Sequence, residues 1–361
     1  TSQVAAGRRV MIEFASPNTN KPLHIGHVRN IVLGDSVSHL LSAAGYDVVR
    51  ACLMNDRSSA ICKSMLAYQR FFPEQTPASR GQKGDHFVGD CYVAYAQAYK
   101  QEVDALQASF VAEGVPLQEA KKRAEAESPL DREVREMLRK WEAGDPEVRA
   151  VWEQMNGWVY EGFHATWQRL GIVFDRFYYE SELYLKGRQL VLDALEQGLV
   201  ERRSDGSIFV DLSDEGMDPK VLLRSDGTSL YITQDLGVAL QKYEDYQIER
   251  SIHVVGNEQD QQLRAVFATL KRMGYGWADG LYHLSYGMVN LPAGRMKSRE
   301  GTVVDADDLL EEMEFRALEK ALEARSQDPR READGLSEAA LAARARAVAL
   351  GAIKFYMLRI N

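Results

Sequence analysis

The beginning of the chain alternates short apolar runs with a helical pattern of apolar positions. Residues 9–14 form an apolar, partly β-branched run, and residues 45–51 form a second one. This order predicts a strand, a helix and a second strand, the βαβ unit of a parallel sheet. The apolar positions of the predicted helix recur every three or four residues and are Val28, Ile31, Val32, Leu33, Val37, Leu40 and Leu41.

The middle of the chain has a different pattern. Residues 73–85 are rich in proline, glycine and polar side chains, and the segment that follows is dense in Glu, Lys, Arg and Ala. Apolar positions there, such as Val134, Met137 and Trp141, keep a helical period. We therefore expect a mostly helical insertion over residues 73–170.

Strand-like runs return after this helical segment, at residues 207–211, 229–233 and 251–256. Strands that alternate with helices usually form a parallel sheet. The pattern therefore predicts an α/β fold with a mostly parallel sheet.

The same patterns suggest how the chain is organised. We expect residues 1–72 and 171–308 to be two halves of one sheet domain, interrupted by the helical insertion. Residues 309–361 are again helical in pattern, with a polar break before a helix that Ser337 should cap. Because the chain starts without Met and ends directly after a helical pattern, we expect it to be part of a longer protein.

The composition excludes several classes of protein. With 361 residues, 45% hydrophobic and 27% charged, the chain is typical of a globular protein of about two or three folding units. No apolar run approaches the roughly 20 residues that span a bilayer, and no secretory leader is visible. The three isolated cysteines argue against a disulfide framework or a zinc site and favour a cytoplasmic location. The net charge of -9 disfavours indiscriminate nucleic-acid binding but leaves room for RNA on a local basic face.

Candidate chemistry begins where the first strand should hand over to the first helix, at His24-Ile25-Gly26-His27. Backbone N–H groups at a helix start attract anions, and Gly26 allows a nucleotide to approach closely. The two imidazoles can donate hydrogen bonds to phosphate oxygens as charge builds on them. The motif predicts a nucleotide-phosphate site, although these four residues alone are equally typical of a surface turn.

Other short segments accompany this motif. Ser16-Pro17-Asn18 and Lys21-Pro22 precede it, and a basic stretch at residues 295–302 follows the third group of strands. By itself, a basic loop before a glycine is usually solvated surface. The remaining segments are Phe174-Asp175 before Glu180-Ser181, Asp226-Gly227-Thr228 before Tyr231 and Asp235, and Val255-Gly256 before Gln259.

Together these motifs resemble the catalytic domain of class I aminoacyl-tRNA synthetases, the arginyl enzymes in particular, over essentially the whole chain. The resemblance implies a Rossmann-like nucleotide-binding fold with a helical insertion and C-terminal helices. It also implies that residues 295–302 form a mobile basic loop and that an anticodon-binding domain follows the helical segment.

The resemblance assigns three groups of residues. The catalytic group is His24, His27, Lys21, Arg295 and Lys297. The ATP-binding group is His24, Gly26, His27, Gly256, Gln262, Met296, Ser298 and Arg299. The arginine-binding group is Glu13, Asn18, Glu180, Tyr231, Asp235 and Gln259. Mg²⁺ is expected on ATP and water rather than on protein ligands.

The choice of amino acid also has a physical basis. A guanidinium presents five donors in one plane, so its site needs carboxylates placed in that plane. Asp235 and Glu180 are the best candidates, and Glu13 is weaker. Outside the family, each acid alone is more typical of a surface or helix-capping carboxylate.

Three departures from the family pattern affect these assignments. Arg295 stands where the basic loop usually has Lys, and Lys297 adds a cation where Ser is common. Ser298 replaces the second lysine of the class I loop, a change that Lys21 can offset. Gln262 stands where the family usually has a histidine near the adenine, which puts ATP affinity in doubt.

The expected function is arginine-tRNA ligation, in which ATP activates L-arginine and the product esterifies tRNA(Arg). The expected partners are L-arginine, ATP and tRNA(Arg), with neither a membrane nor DNA. Arginyl enzymes are also expected to need bound tRNA for activation. Two alternatives stay open: another nucleotidyltransferase of the same superfamily, such as a pantothenate-type ligase, and a non-catalytic paralogue that binds RNA.

Overall fold

The computed structural model describes residue 5 and residues 7–289, 304–327 and 337–359. Its strands there are β1 (Arg9–Glu13), β2 (Asp47–Met54), β3 (Arg176–Tyr179), β4 (Glu201–Arg202), β5 (Ile208–Val210), β6 (Lys220–Leu223), β7 (Arg250–Gly256) and β8 (Leu281–Tyr286). Its α-helices are α1 (Ile25–Ala43), α2 (Ser59–Phe71), α3 (Gly84–Ala112), α4 (Leu117–Glu127), α5 (Pro129–Glu142), α6 (Pro146–Leu170), α7 (Glu180–Glu196), α8 (Tyr231–Tyr246), α9 (Asp260–Arg272), α10 (Ala306–Gln327) and α11 (Glu338–Arg359). Short 3-10 turns lie at Ala78–Arg80, Ser213–Glu215, Asn257–Gln259 and Gly276–Gly280.

A five-stranded parallel sheet forms the centre of the molecule, in the order β3-β2-β1-β7-β8. The middle strand β1 is deeply buried, and its Met11 and Ile12 have no exposed surface. Connections run from β1 through β2 to β3 on one side and from β7 to β8 on the other. In open parallel sheets, ligands bind at the carboxyl ends of two neighbouring strands whose connections diverge in this way. The predicted α/β fold with a parallel sheet is confirmed, and β1 and β7 mark its crevice.

Helices α3 to α6 occupy most of the segment in which we expected a helical insertion. The apolar positions of α5 that the pattern singled out, Val134, Met137 and Trp141, are buried. Trp167 of α6 packs edge-on against Phe174, with ring centroids 5.0 Å apart. These side chains share one apolar core with the sheet. The predicted division of the chain into two halves of a sheet domain, a helical insertion and a C-terminal helical segment stays a prediction.

Two predicted strands of the central sheet are wrong. The run at 207–211 contains β5, which belongs instead to a small antiparallel sheet of order β4-β5-β6. The run at 229–233 is not a strand, because helix α8 begins at Tyr231. Its apolar residues were too few to distinguish a strand from a helix start. The hydroxyl of Thr233 donates to the carbonyl of Leu222 and so anchors this helix start to β6.

Two glycines allow helices α7 and α8 to cross in backbone contact. A Cβ atom on Gly187 would overlap the carbonyl oxygen of Thr233, and one on Gly237 would lie 2.5 Å from the backbone nitrogen of Gly187. Any larger side chain would push the helices apart. The close crossing holds Glu180, the first residue of α7, near Asp235 on α8.

Helices α10 and α11 pack together beside α1. Leu310, Ile353 and Met357 join the central core, and Nζ of Lys354 lies 3.3 Å from Oδ2 of Asp35 on α1. The predicted cap at Ser337 is confirmed, since its hydroxyl accepts from the N–H of Ala340 at 3.2 Å. Among the described helices, none combines the length and apolar character needed to cross a membrane.

Candidate functional site

The predicted site residues lie near the carboxyl edge of the parallel sheet. Asn18 lies in the loop that follows β1, Glu180 directly follows β3, and Gly256 is the last residue of β7. Parallel strands end at the same edge of a sheet, so residues far apart in sequence meet there. The residues Arg295, Met296, Lys297, Ser298 and Arg299 lie outside the described part of the chain, and their roles stay predictions.

His24 and His27 lie at the start of α1, as predicted. His24 is the N-cap, and its Nδ1 accepts a hydrogen bond from the N–H of Gly26 at 3.1 Å. Nδ1 of His27 accepts from the backbone N–H of His24, also at 3.1 Å. The two side chains therefore form a capping box, which satisfies N–H groups at the start of the helix.

These contacts assign the tautomer of both rings. A neutral imidazole has one acceptor and one donor nitrogen, so a ring whose Nδ1 accepts carries its hydrogen on Nε2. Burial, reinforced by the charge of Lys21, lowers the pKa of His24 to about 4. Burial, with the charges of His24 and Lys21, also lowers the pKa of His27 well below its usual value. Both rings are therefore neutral Nε2–H donors at neutral pH.

The loop between β1 and α1 has an unusual backbone that a buried amide stabilises. Ala15 and Ser16 have positive φ values of 68° and 37°, which non-glycine residues seldom adopt. The side-chain oxygen of Asn30 accepts from the N–H of Ala15 at 2.6 Å, and its nitrogen donates to the carbonyl of Val254 at 2.7 Å. Asn30 therefore fixes the entrance of this loop between β1 and β7. Backbone strain of this kind is often retained at functional sites.

Val304 and Ala306 form backbone hydrogen bonds with the turn that contains His24 and His27. The N–H of Ile25 donates to the carbonyl of Val304, and the N–H of Ala306 donates to that of Leu23, each at 3.0 Å. A cavity of about 190 Å³ lies beside this bridge, and its walls include Lys21, His24, His86 and Asp305. The predicted catalytic residues Lys21 and His24 therefore line one cavity.

A charged cluster lies behind this cavity. Asp85, His86 and Asp307 place ligand-type atoms within 4.8 Å of one another, as in some metal sites. However, Nζ of Lys83 lies 3.1 Å from Oδ2 of Asp85 and forms a second ion pair with Asp307. Burial opposes ionisation of Asp307, but hydrogen bonds from His86 and Lys83 outweigh it and lower its pKa. A lysine already supplies the positive charge, so this cluster is better suited to tie α3 to α10 than to bind a metal.

Asp235 and Glu180 are the two predicted guanidinium ligands, and Asp235 lies close enough to disfavour the negative charge of Glu180. Burial raises the pKa of Glu180 to about 8, opposed by Arg57 and reinforced by Asp56 and Asp235. Burial also raises the pKa of Asp235 to about 6, opposed by a hydrogen bond from Gln262. Two desolvated carboxylates therefore share one site, which favours the entry of a cation.

Gln262 lies beside Asp235, one of the two predicted guanidinium ligands. Its Nε2 donates to Oδ2 of Asp235 at 2.8 Å. We predicted it as an ATP-binding residue because the family has a histidine there. The contact instead supports a role in positioning Asp235.

The remaining arginine-binding candidates have different surroundings. Tyr231 is 67% exposed, one turn before Asp235 on α8, and Asn18 and Gln259 are also exposed. Glu13 is buried and forms an ion pair with Lys242, while Nδ1 of His253 lies 3.6 Å from its Oε1. The structure thus gives Glu13 a partner within the protein, and its contact with substrate stays a prediction.

On the nucleotide side, Gly256 ends β7 in a crowded position. A Cβ atom there would lie 2.8 Å from the sulfur of Met288. A larger residue at this strand end, next to the crevice between β1 and β7, would require the side chain of Met288 to shift.

Sequence reasoning missed Asn30, Arg57 and Gln234. Gln234 contacts both Arg57 and Glu180, which come from distant parts of the chain, so no local pattern marks Arg57 or Gln234. For Asn30 a weak signal existed, since a polar residue on the apolar face of a helix needs a buried partner.

The whole chain, residues 1–361, matches the family model described as tRNA synthetases class I (R), catalytic domain. The chain belongs to this family. The Rossmann-like fold that the sequence predicts for the family is confirmed by a solved structure. The Thermus thermophilus arginyl-tRNA synthetase superposes with a TM-score of 0.74 at 26% identity, over 98% of this chain and 58% of that one.

Curated relatives about 50% identical to this chain have the same name as one another. A protein named arginine-tRNA ligase from Phocaeicola vulgatus is 51% identical over 352 residues, which is 98% of this chain and 57% of the relative. One of the same name from Bacteroides thetaiotaomicron is 50% identical over the same shares. The Plasmodium falciparum arginyl-tRNA synthetase shares the fold, with a TM-score of 0.69 at 18% identity. The superposition covers 98% of this chain and 52% of that one. The chain thus spans little more than half the length of these relatives.

Proposed function

We propose that this chain is the catalytic part of an arginine-tRNA ligase. It activates L-arginine with ATP to arginyl-adenylate and transfers the arginyl group to the 3′ end of tRNA(Arg). The family match and the names of relatives about 50% identical support this function. The observation that carries it is the pair of desolvated carboxylates, Glu180 and Asp235, beside the crevice of the sheet.

The substrate guanidinium would lie against Glu180 and Asp235. Charge-assisted hydrogen bonds from its planar donors compensate the cost of keeping two carboxylates ionised away from water. Tyr231 supplies an aromatic wall one helical turn from Asp235. Asn18, in the loop after β1, and Gln259, in the 3-10 turn after β7, would hold the α-amino and carboxylate end of arginine.

In the activation step, a carboxylate oxygen of arginine bonds to the α-phosphorus of ATP while the bond to pyrophosphate breaks. His24 and His27 donate from Nε2 to phosphate oxygens, where charge grows in the transition state. Lys21, Arg295 and Lys297 neutralise the phosphates that leave. No protein nucleophile takes part, so the chain acts by positioning and electrostatics.

Mg²⁺ would bind the phosphates of ATP and water, because this ion usually keeps several waters and is seldom held by protein ligands alone. The charged cluster around Lys83 does not fit it, since a lysine already supplies the positive charge. Met296, Ser298, Arg299, Gly26 and Gly256 complete the proposed ATP site. The three cysteines Cys52, Cys62 and Cys91 are free and buried, which supports a reducing cytoplasm as the location.

Pyrophosphate exchange tests this function. We expect ATP–pyrophosphate exchange that depends on arginine and on added tRNA(Arg), is weak at best for the chain without tRNA, and is absent with lysine or pantoate. Exchange with pantoate but not arginine would support the rival ligase. The absence of exchange, together with no binding of a non-hydrolysable arginyl-adenylate analogue, would support a non-catalytic paralogue.

A further inference from the structure

A largely buried arginine of the protein itself lies next to the proposed guanidinium site. Arg57 follows β2, and its side chain is only 11% exposed. Its Nη1 donates to Oε1 of Gln234 at 2.8 Å, and Nε2 of Gln234 donates to Oε1 of Glu180 at 2.7 Å. These partners assign the orientation of the Gln234 amide. Arg57, Gln234 and Glu180 therefore form a chain of directed hydrogen bonds that ends on one of the two substrate-binding acids.

The guanidinium of Arg57 is held from several directions. It forms an ion pair with Glu142, the last residue of α5. Its central carbon lies 4.1 Å from the ring centroid of Tyr184 on α7 and 5.8 Å from that of Trp141 on α5. A planar guanidinium stacked on one ring and paired with a carboxylate has little freedom to move. Arg57 is thus a fixed positive charge rather than a flexible surface group.

We propose that Arg57 is a positioning residue for amino-acid recognition, which orients Glu180 through Gln234 and makes its carboxylate easier to ionise when the substrate cation binds. The inference rests on the proposed function, because Glu180 is there a ligand of the substrate guanidinium.

The electrostatic reason is the excess of acids around Glu180. Asp56 and Asp235 face it, and both disfavour its negative charge. Asp56 is itself fully buried and accepts from the hydroxyl groups of Ser181 and Tyr160. In the described part of the chain, Arg57 is the cation that acts on Glu180, and it also pairs with Glu142. Without Arg57, Glu180 would hold a proton to higher pH until a substrate cation arrived.

A proton on Glu180 would also change which substrates are accepted. An ionised carboxylate only accepts hydrogen bonds, so it binds the all-donor guanidinium and rejects the carbonyl oxygen of a ureido group. A protonated carboxyl can donate to that oxygen. Arg57 should therefore help to discriminate arginine from citrulline, its neutral ureido counterpart.

Calorimetric titration of arginine and citrulline tests this role. Wild type, Arg57→Met and Arg57→Lys would be compared between about pH 6 and pH 9. The control is Arg70→Met, which removes an arginine whose partner, Glu133, is at the surface. We expect Arg57→Met to weaken arginine binding about tenfold at neutral pH and to raise the pH midpoint of arginine binding by about one unit. The preference for arginine over citrulline should become smaller. The Arg70→Met control should match wild type.

Arg57→Lys keeps the charge but loses the planar contact with Gln234. We expect it to keep the wild-type midpoint and to bind arginine a few-fold more weakly. If thermal unfolding shows that Arg57→Met is not folded, Arg57→Lys decides the question. A pH midpoint of arginine binding equal to that of wild type would support the role of the charge, and a raised midpoint would contradict it. Equal weakening at every pH in Arg57→Met, with selectivity unchanged, would reduce Arg57 to a structural support. A wild-type chain that binds no arginine would instead overturn the proposed function.

Discussion

Gln262 and Asp235 are joined by a hydrogen bond of 2.8 Å between Nε2 and Oδ2. The contact links the start of α9, which follows β7, to the first turns of α8. An amide donor favours the ionised form of a carboxylate, so it opposes the rise in pKa that burial causes in Asp235. Gln262 therefore acts on the acid that should face the substrate guanidinium.

Replacing Gln262 tests whether it acts on the arginine-binding acid Asp235 or on the adenine of ATP. Gln262→Leu removes the donor, so we expect arginine affinity to fall about fivefold at neutral pH, as for one hydrogen bond to a charged group. The affinity for ATP should stay within about twofold. Calorimetry with each substrate separates the two effects. A variant that loses ATP affinity and keeps arginine affinity would return Gln262 to the adenine site.

Arginine binding should depend on pH in a defined direction. In the free site, the pKa of Glu180 is about 8 and that of Asp235 about 6. A bound guanidinium favours both ionised forms, so binding releases protons wherever these acids are still protonated. Arginine affinity should therefore rise with pH and level off above the pKa of Glu180. Calorimetry in two buffers of different ionisation heat counts the protons released, and an uptake of protons would contradict this account.

The two histidines should act mainly on the rate of activation. Replacing either residue, as His24→Ala or His27→Ala, removes a donor aimed at transition-state charge, so adenylate formation should slow by about 10²-fold or more. ATP affinity should change far less. His39→Ala is a suitable control, because this histidine lies on the same helix with its side chain 65% exposed. If rate and ATP affinity fall together, the histidines are supports of the helix start instead.

The sequence located the histidine turn well because its signal is local. Gly26 and both histidines lie within four residues, and the apolar positions that follow have a clear helical period. The start of helix α8 was predicted as a strand because residues 229–233 form a short apolar run. The hydrogen bond from Thr233 to Leu222 that anchors this helix start is invisible in sequence. The contacts of Arg57, Gln234 and Asn30 join distant segments, so only the folded sheet shows them.

The crossing of α7 and α8 should be intolerant of side chains. Gly187→Ala forces a methyl group against the Thr233 carbonyl, so we expect a loss of about 2 kcal/mol in the free energy of unfolding and weaker arginine binding. Gly157→Ala on α6 is the matched control, since nothing lies within 4 Å of a Cβ there. It should be neutral or stabilising by about 1 kcal/mol. Urea unfolding of both variants checks this, and equal stability would show that the helices cross more loosely.

Recognition of the guanidinium by Asp235 is the central claim, and one titration tests it most directly. An arginyl-adenylate analogue would be titrated into wild type, Asp235→Asn and the control Asp193→Asn, whose exposed carboxylate also accepts from a glutamine amide, that of Gln189. We expect Asp235→Asn to cost about 2 to 4 kcal/mol in binding, because it leaves the desolvated cation underpaired. The Asp193→Asn control should bind as wild type does. If Asp235→Asn binds the analogue within twofold of wild type, the assignment of the arginine pocket is wrong.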